Sequence, residues 1–496
     1  MQTEQKSGYT LVLDQGSQSS RAIVYSAAGD QLHVAQVPVS TRRYSPGQVE
    51  QVEQDPAEIV DSLHTAIADA VTGIDPALIS RAGLATQRSS IVCWNHVTGE
   101  TLSPVISWQD RRAADWLAQF HTDSSRVQQL TGLLLSPHYG VSKMRWCLDN
   151  LPGVQHCHEQ GELTIGSLSS YLQYALLDER PVCVDPANAS RTLLYDCRHM
   201  DWSDELLQLF GIPEAVLPAC VPTTHNFGHL RVARLNVPLS LATGDQSAAL
   251  FASGDVDPVT VYANLGTGAF VQRSSGNRVE LLEGLLCSVV YQDDEHTQYV
   301  VEGTVNGAGS ALTYVTRVLQ LEHKKALAHL PEWLAGTASP PLFLNGVSGL
   351  GAPWWVPDFP TQFLGDGTAA EKVVAVIESI VFLIQVNFEI VNQSTGSAER
   401  WIVSGGLANL DGVCQRLADL SGLSVVRPVI NEGTCRGVLH LLNRRSNTTQ
   451  PEYTAAVFEP QNDQGLVERY SRWCRAMAEV INSHNRKKRR RIARLH

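Results

Sequence analysis

Apolar and polar positions follow two related patterns along the chain. TLVLD (10–14) is an apolar run, DQGSQSS is a polar turn rich in Gly and Ser, and RAIVY is a second apolar run. QLHVAQVPV then alternates with period two, so residues 10–39 predict a strand meander. Ile59, Val60, Leu63, Ile67 and Val71 recur at helical spacing and predict a helix over 56–72. Asp55 caps it, Pro56 suits its first turn, Glu58 stands at capping-box spacing and Gly73 suits its exit. A strand at Ala82–Ala85 then runs into TQRSS.

The second half restarts the same way. VTVYANLGTGAFVQRSS (259–275) reads as strand, Gly turn, strand, and further strands contain Cys287–Tyr291 and YVVEG. A small-residue helix opens near Ala308. A long helix over 369–394 is apolar on every face, which predicts burial between layers. RWIVSGG is a strand entering another Gly turn. The duplicated opening predicts two α/β domains facing each other across a cleft, residues 1–253 and 254–484, with the break at ASGDVDP (252–258).

Composition narrows the class. The chain has 496 residues, 43% hydrophobic and 18% charged, with net charge −12. This is a globular balance, large enough to need no disulfide or metal staple. An acidic chain argues against nucleic acid as a partner. No apolar run reaches the ~18 residues needed to span a bilayer. The most apolar stretch, Val373 to Phe388, is broken by Glu378, Ser379 and Gln385. The N-terminus has no signal-peptide pattern, and ten cysteines without a CxxC pair read as free thiols in a reducing, cytoplasmic setting. The one outlier is the basic run Arg486, Lys487, Lys488, Arg489, Arg490, Arg491 and Arg494, read as a frayed, solvated tail at 485–496.

Candidate chemistry sits at the Gly turns. DQGSQSSR (14–21), NLGTGAF (264–270) and VSGGLAN (403–409) each follow a strand, and backbone N–H groups in such turns suit anions. The lysine-bearing phosphate loop is absent, and GDGTAA (365–370) lacks the βαβ context of a dinucleotide site. Asp245 in LATGDQSAALF is placed at a strand end, as a general base or equally as a helix cap. Asp14, beside the first turn, suits hydrated Mg²⁺ or an Asx-type turn. Arg88 and the group Trp108, Asp110, Arg111 and Arg112 can bind hydroxyls and a carbon skeleton; taken singly they read as surface ion pairs. His156, Cys157 and His158 look like metal ligands, but neighbouring residues point different ways and no second pair lies at ligand spacing.

The ordered segments LDQGSQSSRAIVY, PGQVEQDPAEI, TQRSSIVCWNHVTGE, SWQDRRAADW, TGLLLSPHYGVSKMRWCLDN, ANASRTLLYD, GDQSAALF, NLGTGAF, VEGTVNGAG, SGLGAPWWVPD, VIESIVF and VSGGLAN cover nearly the whole chain. In them the sequence resembles the FGGY carbohydrate kinases. The resemblance implies the two-domain actin-like, ribonuclease-H-like α/β fold. It implies ATP-dependent phosphorylation of a polyol or sugar hydroxyl, glycerol first, with Mg²⁺, and a homo-oligomer of two or four chains. By position it makes Asp245 the base and gives Asp14 and Asp245 to the metal. Arg88, Ser89, Trp108, His138, Asp245, Gln246 and Phe270 fall at the acceptor. Gly16, Ser17, Gln18, Arg21, Gly266, Thr267, Gly309, Gly405, Gly406 and Asn409 fall at the nucleotide.

The chain also departs from the family. Ser89 stands where glycerol-specific members carry Glu, and His138 where they carry Tyr, so the acceptor is expected to be open to another polyol or a ketose. Gln18 replaces a Thr, and Arg436, Val438 and Leu439 replace smaller or apolar residues. These last are expected to crowd the adenine side, which leaves a catalytically weak relative as the alternative.

Overall fold

The computed structural model describes residues 8–46, 49–232, 234–444 and 454–492. Met1–Ser7, Gly47 and Gln48 of the PGQVEQDPAEI segment, and residues 493–496 of the basic run lie outside them.

The expected meander forms half of a six-stranded sheet. Its spatial order is Thr224–Leu230, Val237–Gly244, Ile79–Thr86, Tyr9–Gln15, Ser19–Tyr25, Gln31–Pro38. Val237–Gly244, Ile79–Thr86 and Tyr9–Gln15 run parallel, and the other pairings are antiparallel. The second sheet repeats the plan in the order Leu286–Gln292, Thr297–Val305, Ala269–Gly276, Thr260–Leu265, Arg400–Ser404, Ser424–Pro428, Ala455–Phe458. Its parallel trio is Thr260–Leu265, Arg400–Ser404 and Ser424–Pro428.

Parallel strands are buried on both faces, and here they read as near-continuous apolar runs. The helix Pro56–Ala70 covers the first sheet with Ile59, Leu63, Ala66 and Ile67, and Asp55 accepts from Ala57 N as its cap. The helix Ala369–Thr395 starts at a capping box of Thr368 and Glu371. Its apolar faces are enclosed by the second sheet and by other helices, as its all-round hydrophobicity requires. Among the described residues this is the one helix long and apolar enough to cross a membrane, and most of it is buried in the protein.

A third, five-stranded antiparallel sheet joins Arg42–Tyr44, Gln51–Gln54, Val105–Ile106, Ile91–Asn95 and Leu163–Ser167. Its strands are short and hold no long periodic signal. It presents the loop that carries Trp108 to Arg112.

One helix crosses between the halves. Gly433–Asn443 follows the second sheet in sequence but packs on the helix Asp245–Ala249 and beneath the first sheet. At Gly437 a Cβ would lie 1.7 Å from the Ala248 carbonyl oxygen, so the two helices meet backbone to backbone. Val438 and Leu439 are buried with Val12, Ile23 and Ala85. Arg436 donates to Gly29 O at 2.8 Å and lies over the Tyr25 ring. These substituted residues therefore pack against the first sheet's underside.

At the C-terminus the helix Gln464–Ile492 carries most of the basic run. The backbone is helical there through Ile492, where the charge pattern alone predicts a frayed tail.

Candidate active site

Strand register builds the site. Gln15, Thr86 and Gly244 are neighbours across the three parallel strands, at their carboxyl ends. Asp14, Arg88 and Asp245 therefore arrive at one sheet edge from three distant segments. Open α/β sheets bind ligands at this edge, because strands end there while the following helices turn away.

Asp245 is the first residue of the short helix Asp245–Ala249, and its Oδ1 accepts from Gln246 N at 2.6 Å. Arg88 Nε lies 4.0 Å from the same oxygen. Burial raises the Asp245 pKa, against the pull of Arg88. Asp14 is pushed up to about 7, first by burial and then by the charge of Asp245, while Arg21 opposes the shift. Two carboxylates thus share one enclosed edge.

Arg21 faces Asp14 across paired strands, with Nη1 3.8 Å from its carboxylate. The same nitrogen is held by Glu432, and Nη2 donates to Gln36 at 2.9 Å. Its guanidinium is committed to carboxylates and an amide within the protein. Gln18 is exposed at the tip of the first turn. Gly16 N–H closes that turn on Ser19 O at 3.0 Å, so ligand donation falls to the turn's other amides.

A hydrogen-bonded chain runs from Trp108 through the first turn. Trp108 Nε1 donates to Ser17 Oγ at 3.1 Å, Ser17 donates to Gln87 Oε1 at 3.2 Å, and Gln87 donates to Gln15 and Gln54. His138 stacks near Trp108 with ring centroids 6.1 Å apart, and Arg111 Nη2 lies against its imidazole nitrogens at 2.6 and 2.8 Å. His138 is exposed to solvent on its outer side but walled in by protein on the other. That wall, then the Arg111 and Lys143 charges, hold its pKa below the ordinary range. Ser89 is buried and adopts φ 64.

On the second sheet three glycine segments converge. Gly309 N donates to Gly266 O at 3.0 Å, and Gly266 N closes its own turn on Gly268 O. Gly405 has φ 93, and a Cβ there would lie 2.7 Å from Leu265 C, so only glycine admits the approach. Thr267, Gly406 and Asn409 are exposed around this cluster, and Phe270 is half-buried, paired in register with Asn264. A recess of about 660 Å³ opens beside it along the helix Gly309–Val318, lined by Ser310, Thr313, Tyr314, Arg317, Leu321 and His323.

Several residues with clear roles here carry no sequence signal of their own. Lys143 is buried, and its Nζ donates to the carbonyls of Pro137, His138 and Tyr139 at 3.1, 2.7 and 2.9 Å. Arg191 reaches from the first half to Ser288 Oγ at 2.8 Å and Glu302 at 3.4 Å on the second sheet. Asp110 and Arg112, read singly as a surface pair, are buried instead. Arg112 bonds Asp110 and Glu53 and lies over the Trp146 ring. His156 and Cys157 part as expected of neighbours on a helix, the first exposed and the second buried.

Two matching halves, each built on a sheet with a parallel trio, define a two-domain α/β enzyme class. Residues 9–252 match the N-terminal domain of the FGGY family of carbohydrate kinases, and residues 261–445 match its C-terminal domain. The chain belongs to this family and is a carbohydrate kinase. It is 34% identical over 484 residues to "Glycerol kinase" of Geobacter sp. strain M21, covering 94% of this chain and 97% of that one. It is 34% identical over 449 residues to "Glycerol kinase 1" of Pseudomonas aeruginosa, covering 88% and 90%. The fold is shared with Plasmodium falciparum glycerol kinase with ADP at TM-score 0.86, 22% identity, and 95% and 98% coverage. A xylulose-type kinase from Brucella ovis matches at TM-score 0.84, 21% identity, and 96% and 99% coverage.

Proposed function

We propose that this chain transfers the γ-phosphoryl group of ATP to a hydroxyl of a small polyol or sugar, with glycerol the reference acceptor. The observation that carries this reading is the register of Gln15, Thr86 and Gly244, which gathers Asp14, Arg88 and Asp245 at one edge.

Asp245 accepts the proton of the acceptor hydroxyl. Burial raises its affinity for that proton, as a base working near neutrality requires. The acceptor oxygen attacks the γ-phosphorus, the bond to the bridging oxygen breaks, and ADP leaves. Arg88, Trp108, His138, Gln246 and Phe270 orient the acceptor, with Ser89 beside Arg88. The turns at Gly16–Arg21 and Gly266–Thr267 hold phosphates. Gly309, Gly405, Gly406 and Asn409 frame the nucleotide, with the recess beside Ser310 and Thr313 for its base. Phosphoryl transfer needs positioning and charge neutralisation more than covalent chemistry, which suits such a divided site.

The residues fit Mg²⁺. Asp14 and Asp245 are hard oxygen donors, and their mutual repulsion is what a divalent cation relieves. Few carboxylates with room for water is the donor set this ion prefers. When bound, it would neutralise phosphate charge.

The test is acceptor-stimulated ADP release by the full chain across polyols and ketoses. Turnover above the ATP-only background supports the reading, and none with any acceptor refutes it.

A further inference from the structure

Three buried glutamines, Gln15, Gln54 and Gln87, meet beside the first Gly-Ser turn. A primary amide has two N–H donors and a carbonyl that accepts twice, and each one left unpaired in the interior costs stability. Gln87 satisfies all four. Its Nε2 donates to Gln15 Oε1 at 3.0 Å and to Gln54 Oε1 at 2.8 Å. Its Oε1 accepts from the hydroxyls of Ser17 at 3.2 Å and Ser90 at 3.1 Å. Its main-chain N–H donates to Gln15 O at 2.8 Å, so the residue is held at backbone and side chain.

The direction of these bonds is imposed from the backbone. Gln15 Nε2 donates to Gly16 O at 2.7 Å, and Gln54 Nε2 donates to Ser17 O at 3.0 Å. A main-chain carbonyl only accepts, so both of these glutamines must turn their NH₂ to the turn and their Oε1 to Gln87. Gln87 must then turn its NH₂ to them and its carbonyl to Ser17 and Ser90. Both hydroxyl protons are thereby committed, and each hydroxyl keeps only lone pairs for other partners. Those lone pairs hold Trp108 twice. Ser17 Oγ accepts from the indole Nε1 at 3.1 Å, and Ser90 Oγ accepts from the main-chain N–H of Trp108 at 3.2 Å.

We propose that Gln87 is a positioning residue for the phosphoryl transfer, its amide aiming the two hydroxyls that seat Trp108 against the first turn. It acts through Ser17, Ser90 and Trp108. The same polarity limits Ser17. Its proton is committed to Gln87, so it presents a lone pair to a ligand, and phosphate at this turn is left to main-chain N–H groups. This inference rests on the proposed roles of Trp108 and of the first turn.

The experiment is a double-mutant cycle in the full chain with Gln87→Met, Trp108→Phe and the two combined. Methionine keeps a similar volume and removes the amide. In Gln87→Met, kcat/KM for glycerol is expected to fall about five- to thirtyfold, the worth of one or two neutral hydrogen bonds. The combined variant is expected to lose clearly less than the product of the two single losses, because the indole bond depends on the hydroxyl that Gln87 aims. Parental kcat/KM in Gln87→Met, or losses that multiply in full, overturn the proposal. Should Gln87→Met fail to fold, Ser90→Ala releases only the main-chain N–H of Trp108. It is expected to raise KM for the acceptor and leave KM for ATP in place, and equal changes in both, or none, overturn the proposal. Should the parent chain turn over no acceptor, the proposed transfer falls, and the same cycle read as calorimetric affinity for ADP decides the role of Gln87 by the same criterion.

Discussion

The indole Nε1 of Trp108 donates to the Ser17 hydroxyl at 3.1 Å, which ties the loop of Trp108 to Arg112 to the first Gly-Ser turn. Trp108 follows a strand of the small third sheet, and Ser17 follows the first strand of the six-stranded sheet. One hydrogen bond thus couples a residue proposed to meet the acceptor to a turn proposed to hold phosphate.

Trp108→Phe keeps an aromatic face and removes the donor. A single neutral hydrogen bond is worth about 1 kcal/mol, or roughly fivefold in an equilibrium. KM should rise about fivefold for both ATP and acceptor. Steady-state kinetics with each substrate varied in turn checks this, and a change confined to the acceptor would show that the two regions act separately.

Asp245→Asn removes the proton acceptor without changing shape. General-base loss of this kind costs about 10²–10⁴-fold in kcat. Circular dichroism and nucleotide binding should match the parent chain. Near-parental turnover would end the assignment of Asp245 as the base.

Lys143→Met leaves three carbonyls without this donor, that of Tyr139 buried and those of Pro137 and His138 partly so. Each unsatisfied buried acceptor costs about 1–3 kcal/mol, so the melting temperature should fall clearly. The segment Pro137–Tyr139 carries His138, so KM for the acceptor should rise while KM for ATP stays put. Equal losses for both substrates would mean that Lys143 serves the fold alone.

His138 gives a pH signature. Its pKa in the folded chain is lowered by its surroundings, so the folded ring stays neutral at pH values where the unfolded ring is protonated. Below an unfolded value of about 6.5 the unfolded state binds more protons, and stability falls as pH drops. Urea titrations at pH 7 and pH 5 should show a loss that His138→Gln reduces. An unchanged slope in that variant would place the imidazole pKa at its ordinary value.

Much of this was legible in the amino-acid order. Residues 10–39, the helix after Asp55, the restart at 259 and the long apolar helix each carry a local period that their backbone must obey. The Gly turns were legible too, because strand ends followed by Gly and hydroxyl residues have few conformational choices. Asp245 was found as a candidate, yet spacing left base and helix cap even, since both uses place an Asp after a strand.

Tertiary structure decided the rest, for physical reasons. Only the parallel register of three strands brings Asp14, Arg88 and Asp245 together, and register depends on pairing between segments far apart in sequence. Only packing turns Arg112 and Asp110 from a solvent-facing pair into a buried one, and sends Val438 and Leu439 under the first sheet. Lys143 and Arg191 look like any surface cation in a sequence, because a buried charge is recognised by the carbonyls or carboxylates that surround it. The chain's own order determined two similar α/β halves with turns fit for anions. The fold decided which charges face the cleft and which are spent on one another.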